Sequence, residues 1–274
     1  MKRKEKKSRS IWNVLSFCFG ILFFLLVWWV VSVALKANGS GILKDPLATI
    51  GRLSELLFLD GSKQTWTAIG WTIARLLIGL AASFLLAGFL GTLAGLFRPV
   101  RAFLIPAVGF ARTIPTAAVV LVLSVVFLVP GRLGFADFIP AVLTFLVAFP
   151  LFYEAFVSGI TALDQDTEQA LTLDAGTHSL RAVCEVLWPM SAPQIKMAGA
   201  QGLGLSLKVT IMSEVLTANS ATHPGLGSLI MDCQTNPSLK VEDIIPYSLL
   251  AFILMLFLDI PLFLRRIISS KENE

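Results

Sequence analysis

"TAIGWTIARLLIGLAASFLLAGFLGTLAGLF", Thr67 to Phe97, carries a single charged residue, Arg75. A helix needs about 20 apolar residues to cross the hydrocarbon of a bilayer. This stretch exceeds that length, so it can span with tilt or with its ends in the interface. Within it Ala87, Gly91 and Gly95 recur at every fourth residue, a stripe of small side chains along which a second helix can approach closely. The reading is therefore a membrane-spanning helix that packs against a neighbour.

Five more segments have the same character: Trp12 to Leu35, Ala102 to Val129, Phe135 to Thr161, Met197 to Thr217 and Ile244 to Leu264. The whole chain fits them. It has 274 residues, 55% of them hydrophobic and only 15% charged, where a soluble domain is nearer a quarter charged. The fold class expected is all-α, a polytopic membrane helical bundle of about six transmembrane helices. The first span follows "MKRKEKKSRS" and is longer than the apolar core of a secretory signal, so an uncleaved anchor is expected. No linker or solenoid repeat divides the chain. We expect a basic tail at 1–11, one transmembrane domain at 12–264 with an inner loop at 162–196, and a second tail at 265–274.

Orientation follows from the basic residues. With the N-terminus inside, the inner segments hold thirteen Lys and Arg against six outside, over stretches of similar total length. The positive-inside rule then places both termini in the cytoplasm of a cytoplasmic-membrane protein. On the outer side, "DPLATIGRLSELLFLDGS" opens at Asp45-Pro46 and spaces Leu47, Ile50, Leu53, Leu56 and Leu57 on one face, which predicts a short surface helix ending at Gly61. "HPGLGSLIMDCQTNP", from His223, predicts a short helix or re-entrant piece.

The sequence also excludes several chemistries. No phosphate loop of the G-x-x-x-x-G-K-[ST] type is present, nor H-E-x-x-H or G-x-S-x-G, so no catalytic residue is assigned. Cys18, Cys184 and Cys233 fall in the membrane, inside and outside, and are not expected to form a disulfide. His178 and His223 lie on opposite sides, which leaves a metal site without ligands. A net charge of +4 is too small to argue for nucleic acid. What remains inside the spans is a set of ionisable groups, Arg75, Arg112, Glu154, Lys208 and Glu214, with Asp137 and Asp259 near the ends. Such groups cost at least about 2.5 kcal/mol each at depth, so they either face a water-filled path or pair with one another. Arg112, Pro115, Glu154, Lys208 and Glu214 are the candidates for the path. Pro106, Pro115, Pro140 and Pro150 free carbonyls at depth, and Gly199, Gly202 and Gly204 thin the fifth span.

Residues 162–196 form the one long inner connection. Its pattern gives two helical pieces split at Ala175-Gly176: "LDQDTEQALTLD", acidic at its start, and "THSLRAVCEVLWP", which opens on Thr177 and is expected to end at Pro189. Five acidic residues against two basic ones would be repelled by an anionic leaflet, so docking to a protein is favoured.

At these residues the chain resembles the membrane permease subunits of binding-protein-dependent ABC importers. Glu168-Gln169-Ala170, Gly176 and Leu187-Trp188-Pro189 resemble the family's Glu-Ala-Ala loop signature, with the same thirteen-residue step from glycine to proline; Gln169 and Trp188 depart from it. "ARTIPTAAVV", "LSLKVTIMSEVL", "GLGSLIMDC" and "FLDIPLFLRR" are similar to further family segments in the same order, most of all to the nitrate, sulfonate and taurine branch. The resemblance implies a type I importer fold, with Glu168, Ala170, Asp174, Gly176, Thr177, His178, Leu180, Leu187 and Pro189 in a coupling loop. It also implies partners: two ABC ATPase subunits that bind the ATP and Mg²⁺, an extracytoplasmic solute-binding protein, and a second permease chain, here a homodimer. The solute would be a small anion or a vitamin precursor, and this chain would bind no cofactor. A reading from another class is an ion-coupled secondary transporter or channel using Glu154 and Glu214 as its coupling carboxylates.

Overall fold

The structure is a computed structural model describing residues 2–37, 43–59, 61–127, 133–162, 182–218, 222–236 and 240–272. Among these residues there are nine α-helices and no strand. In chain order they are α1 (Lys2–Ala37), α2 (Pro46–Phe58), α3 (Ser62–Leu96), α4 (Arg98–Thr113), α5 (Thr116–Phe127), α6 (Ile139–Thr161), α7 (Trp188–Thr217), α8 (Leu226–Thr235) and α9 (Ile244–Glu272). Three stretches, Ser62–Leu96, Phe135–Thr161 and Val241–Leu258, are long and apolar enough to cross a membrane by length and composition. The pair α4 and α5 also qualifies, as one broken span. α1 and α7 have the length, with 36 and 30 residues, but α7 is diluted by Gln194, Lys196, Gln201, Lys208 and Glu214. α1 starts at Lys2, so the basic residues expected as a separate tail continue the first helix, and α9 likewise runs on to Glu272.

The third span was expected as one helix from Ala102 to Val129. It is broken instead, with α4 and α5 bent by 91°. The cause is Pro115, which lacks an N–H and disfavours helical backbone at the residue before it. Ile114 is accordingly extended, at φ −67° and ψ 126°, and α5 restarts with the amides of Ala118 and Val119 donating to the Pro115 carbonyl. Pro106 and Pro150 are absorbed inside continuous helices.

α3, α6 and α7 form the centre of the bundle. A Cβ built on Gly79 would meet the Ala141 carbonyl oxygen at 2.5 Å, one on Gly91 would meet Phe156 at 2.8 Å, and one on Gly95 would meet Ile160 at 2.9 Å. The small stripe of α3, with Ala87 fully buried, is thus the seam against α6. Gly159 of α6 approaches Ser191 of α7 just as closely, at 2.5 Å from a built Cβ. Gly199 and Gly202 meet their neighbours only at ordinary distances of 3.7 and 3.9 Å. Polar contacts cross the same seams: Ser83 Oγ donates to the Phe145 carbonyl at 3.0 Å, and the Thr144 and Thr210 hydroxyls bond at 2.6 Å. Interhelical bonds of this kind are worth about 0.6 kcal/mol in a membrane, so close packing is the larger contribution.

At one end of the bundle α2, α3, α8 and α9 share an apolar cluster that includes Leu53, Leu56, Ile69, Leu226, Leu229 and Tyr247. α2 forms where its Asp-Pro start predicts. Leu53 and Leu56 are buried against the bundle, Leu47 and Ile50 are left on its outer side, and Arg52 is held against Asp243. That contact is bidentate, at 2.8 and 2.9 Å. Gly61, at φ +84°, supplies the left-handed residue that turns the chain from α2 into α3.

Candidate functional site

Four of the ionisable groups of the spans, Arg75, Glu214, Arg112 and Glu154, sort into two clusters. The first is sealed between α3, α7 and α8. Arg75 on α3 donates through Nη1 to Glu214 Oε1 at 2.8 Å, and through Nη2 to Asp137 Oδ1 at 3.2 Å and to the His223 carbonyl at 2.5 Å. The side chains of Arg75 and Glu214 are 4% and 0% exposed. Glu214 accepts two further bonds, from the Thr72 hydroxyl at 2.8 Å and from the Gly227 amide at 3.1 Å, and Thr72 in turn accepts from the Leu226 amide at 2.8 Å. Leu226 and Gly227 are the first two residues of α8, whose free amides need acceptors. Glu214 and Thr72 therefore cap α8 from neighbouring helices, with the carboxylate at the positive end of its dipole.

The approach is possible because of "GLG". A Cβ on Gly225 would fall 2.1 Å from the Glu214 carboxylate, and one on Gly227 would fall 2.3 Å from the Ile211 carbonyl oxygen. Asp137 completes the cluster by accepting from the Thr222 and His223 amides at 3.0 and 3.1 Å, and it pairs with His223 Nδ1 at 3.0 Å. Trp71 covers this edge, its ring centroid 4.3 Å from that of His223 and 5.8 Å from the Arg75 guanidinium carbon. Further out, Ser32 and Lys36 donate to Asp45 at 2.9 and 2.8 Å; Lys36 first, then Ser32, holds that carboxyl below the usual range.

The second cluster lies open. Arg112 on α4 pairs in a bidentate manner with Glu154 on α6, with Nη2 2.6 Å from Oε2, but these side chains are 44% and 49% exposed. They line a groove of about 420 Å³ between α4 and α6, with Arg101, Tyr153, Ser158 and Thr161 among its other walls. Exposed ion pairs contribute about 0 to 1 kcal/mol, whereas removing one partner of a buried pair costs about 3 to 5 kcal/mol. The two pairs therefore differ in kind.

Of the other path candidates, Pro115 sits exposed at the α4–α5 bend. Lys208 lies on an exposed face of α7 with Met197, Gln201 and Leu205, apart from both clusters. Among the described residues no group of His, Cys, Asp and Glu could hold a metal, and Cys184 and Cys233 are free thiols.

Of the loop residues, Glu168, Ala170, Asp174, Gly176, Thr177, His178 and Leu180 lie outside the described residues. The far end of the loop is described, and it corrects one expectation. Pro189 does not end a helix. A π-turn over Val183–Leu187 runs straight into α7, with Pro189 the second residue of that helix. Leu187 is buried with Val183 and Ala182 against Ile160 of α6. Trp188 donates from Nε1 to Thr92 of α3 at 3.1 Å and lies 5.7 Å from the Phe156 ring. Both residues thus fasten the exit of the loop to the central helices. The sequence flagged Leu187 but missed Trp188, which shows up in the sequence only as a departure from the loop signature.

A bundle of long apolar helices, one of them broken, with charges paired at depth has the architecture of a polytopic membrane protein. Residues 85–272 match the family described as binding-protein-dependent transport system inner membrane component, and the chain belongs to that family. It is 29% identical over 222 residues to a probable ABC transporter permease protein of Brucella melitensis biotype 1, covering 81% of each chain. Probable ABC transporter permease proteins of Brucella abortus, from strain 2308 and from biovar 1 strain 9-941, match at the same identity, over 81% of this chain and 80% of theirs. The chain is therefore a multi-pass permease of the inner membrane.

Proposed function

We propose that this permease forms the solute path of an ATP-driven importer and is driven by a separate ATPase that docks on residues 162–196. The observation that carries this reading is the fastening of that segment. It leaves from α6 at Thr161 and returns at Val183, and both sides are joined: Leu187 packs on Ile160, Gly159 abuts Ser191, and Trp188 bonds to Thr92. A push on the segment is thereby delivered to α3, α6 and α7 together. Interiors at this packing density transmit strain rather than absorbing it.

In this proposal ATP and Mg²⁺ are held by two copies of the partner ATPase, a binding protein delivers solute from outside, and a second copy of this chain completes the path. The chain itself performs no catalysis. The solute is a small anion or a vitamin precursor, which follows the branch it most resembles. The geometry of Glu214 weighs against a self-powered carrier, since that carboxylate is committed to Arg75, Thr72 and the start of α8.

Co-expression with candidate ABC ATPases from the neighbouring genome region, followed by affinity purification, tests the proposal. The wild type is expected to bring the ATPase with it. Gly176→Pro and Glu168→Lys are expected to insert normally and lose it. Full retention by both variants would refute the placement of the docking segment.

A further inference from the structure

We propose that the groove between α4 and α6 is an oxyanion site, in which Arg112 takes the charged group of a small ligand, Arg101 adds positive potential from the other end, and Glu154 is the resident that ligand displaces. Three observations lead there. First, Arg101 and Arg112 lie eleven residues apart on one helix, about 16 Å at 1.5 Å per residue, and both line the groove. The groove is therefore elongated, with a cation at each end and one carboxylate, Glu154, beside Arg112. Its net charge is positive while the pair is closed. The backbone amide of Arg101 donates to the Phe97 carbonyl, while its guanidinium makes no hydrogen bond or ion pair among the described residues.

Second, Tyr153 on the same wall is 4% exposed, and its hydroxyl has no partner among the described residues. Tyr153 is the neighbour of Glu154 on α6 and lines the groove together with Arg101. Ser158 and Thr161 already donate their hydroxyl protons to carbonyls of α6, at 3.2 and 2.8 Å. The uncommitted donors of the groove are thus the phenol and the guanidinium of Arg101, and both suit an anion. A buried donor left without an acceptor is costly, so an occupant that supplies one is favoured.

Third, the Arg112–Glu154 pair is half exposed, unlike the sealed Arg75–Glu214 pair. The pair is open to an incoming group, and an arginine fork accepts phosphate, sulfonate or carboxylate in the same bidentate geometry that it offers Glu154. An incoming oxyanion exchanges with Glu154 at Arg112 without exposing a buried charge. The apolar walls, Ile105, Val108 and Val157, accommodate a short carbon body between the ends.

The anion could come from a transported solute or from a lipid phosphate. The first source rests on the importer reading above; the site itself does not. The test is binding of ³⁵S-sulfate to the purified full-length chain in phosphatidylcholine nanodiscs, with neither ATPase nor binding protein present, so its failure and that of the coupling proposal are separate results. Saturable binding is expected. Charge-assisted contacts of this kind predict weakening of about tenfold or more for Arg112→Gln and about threefold for Arg101→Gln. Removal of the competing carboxylate in Glu154→Gln is expected to tighten binding by about threefold or more.

That gain is the discriminating readout, because a merely structural ion pair predicts none and Glu154→Gln leaves both cations in place. Competition by added phosphatidylglycerol would support the site with lipid phosphate as its occupant. Undiminished binding would support it with a free anion. Absence of saturable binding in the wild type, or a Glu154→Gln variant that binds no better, overturns the proposal.

Discussion

The two ion pairs at depth use the same chemistry to opposite ends. Arg75 and Glu214 are joined across α3 and α7, and the carboxylate also holds Thr72 and the first amides of α8, so every polar atom of Glu214 has a fixed task. Arg112 and Glu154 are joined across α4 and α6 with nearly half of each side chain exposed and no further hydrogen-bond partner among the described residues. Burial makes the difference. A sealed pair cannot exchange partners without stranding a charge, whereas an open pair exchanges at little cost. The first arrangement builds the end of the bundle that carries α8, and the second leaves a site.

The comparison is broken most severely through its glycines. Gly227 seats α8 against the Ile211 carbonyl and Glu214, with only 2.3 Å available to a Cβ, while Gly109 on the groove has nothing within 4 Å. Gly227→Val is expected to abolish the monodisperse protein in size-exclusion chromatography. Gly109→Val is expected to elute as the wild type. Similar losses from both would mean that the groove is as tightly built as the seat of α8.

A smaller effect is expected at Thr72, which gives one bond to Glu214 and takes one from Leu226. Thr72→Val keeps the shape and removes both, at a cost of about 1 to 3 kcal/mol for the unsatisfied partners. Denaturant titration should resolve this loss, whereas an unchanged midpoint would show that α8 needs no cap from α3.

Much of this contrast was hidden in the sequence for a physical reason. Apolar length and the small stripe of Ala87, Gly91 and Gly95 were legible because they are local periodic features, and the seam against α6 follows from them. The charged residues were legible as a set, since any ionisable group in an apolar run stands out. Which of them pair was not, because Arg75 and Glu214 meet across 139 residues and Arg112 and Glu154 across 42. Nothing in a window of one helix carries that information.

Prolines were ambiguous for a similar reason. Pro106, Pro115 and Pro150 look alike in the sequence, yet only Pro115 breaks its helix. The α6 helix that absorbs Pro150 is held along its length by α3 and α7, whereas α4 absorbs Pro106 while burying little of its own surface, for which the packing gives no reason. Pro189 reads as a stop because a proline that ends a helix and one accommodated next to a π-turn have the same local signature.

The measurement that bears most directly on the account is a matched pair of thermal or denaturant unfolding experiments on Glu214→Gln and Glu154→Gln in the same neutral-lipid nanodiscs. Each substitution removes one negative charge and keeps the shape of the side chain. Leaving Arg75 sealed with only the longer contact to Asp137 is expected to cost up to about 3 to 5 kcal/mol, against about 0 to 1 kcal/mol at the open pair. Equal losses at the two positions, or the larger loss at Glu154, would contradict the division of the molecule into a fixed polar seat and an exchangeable site.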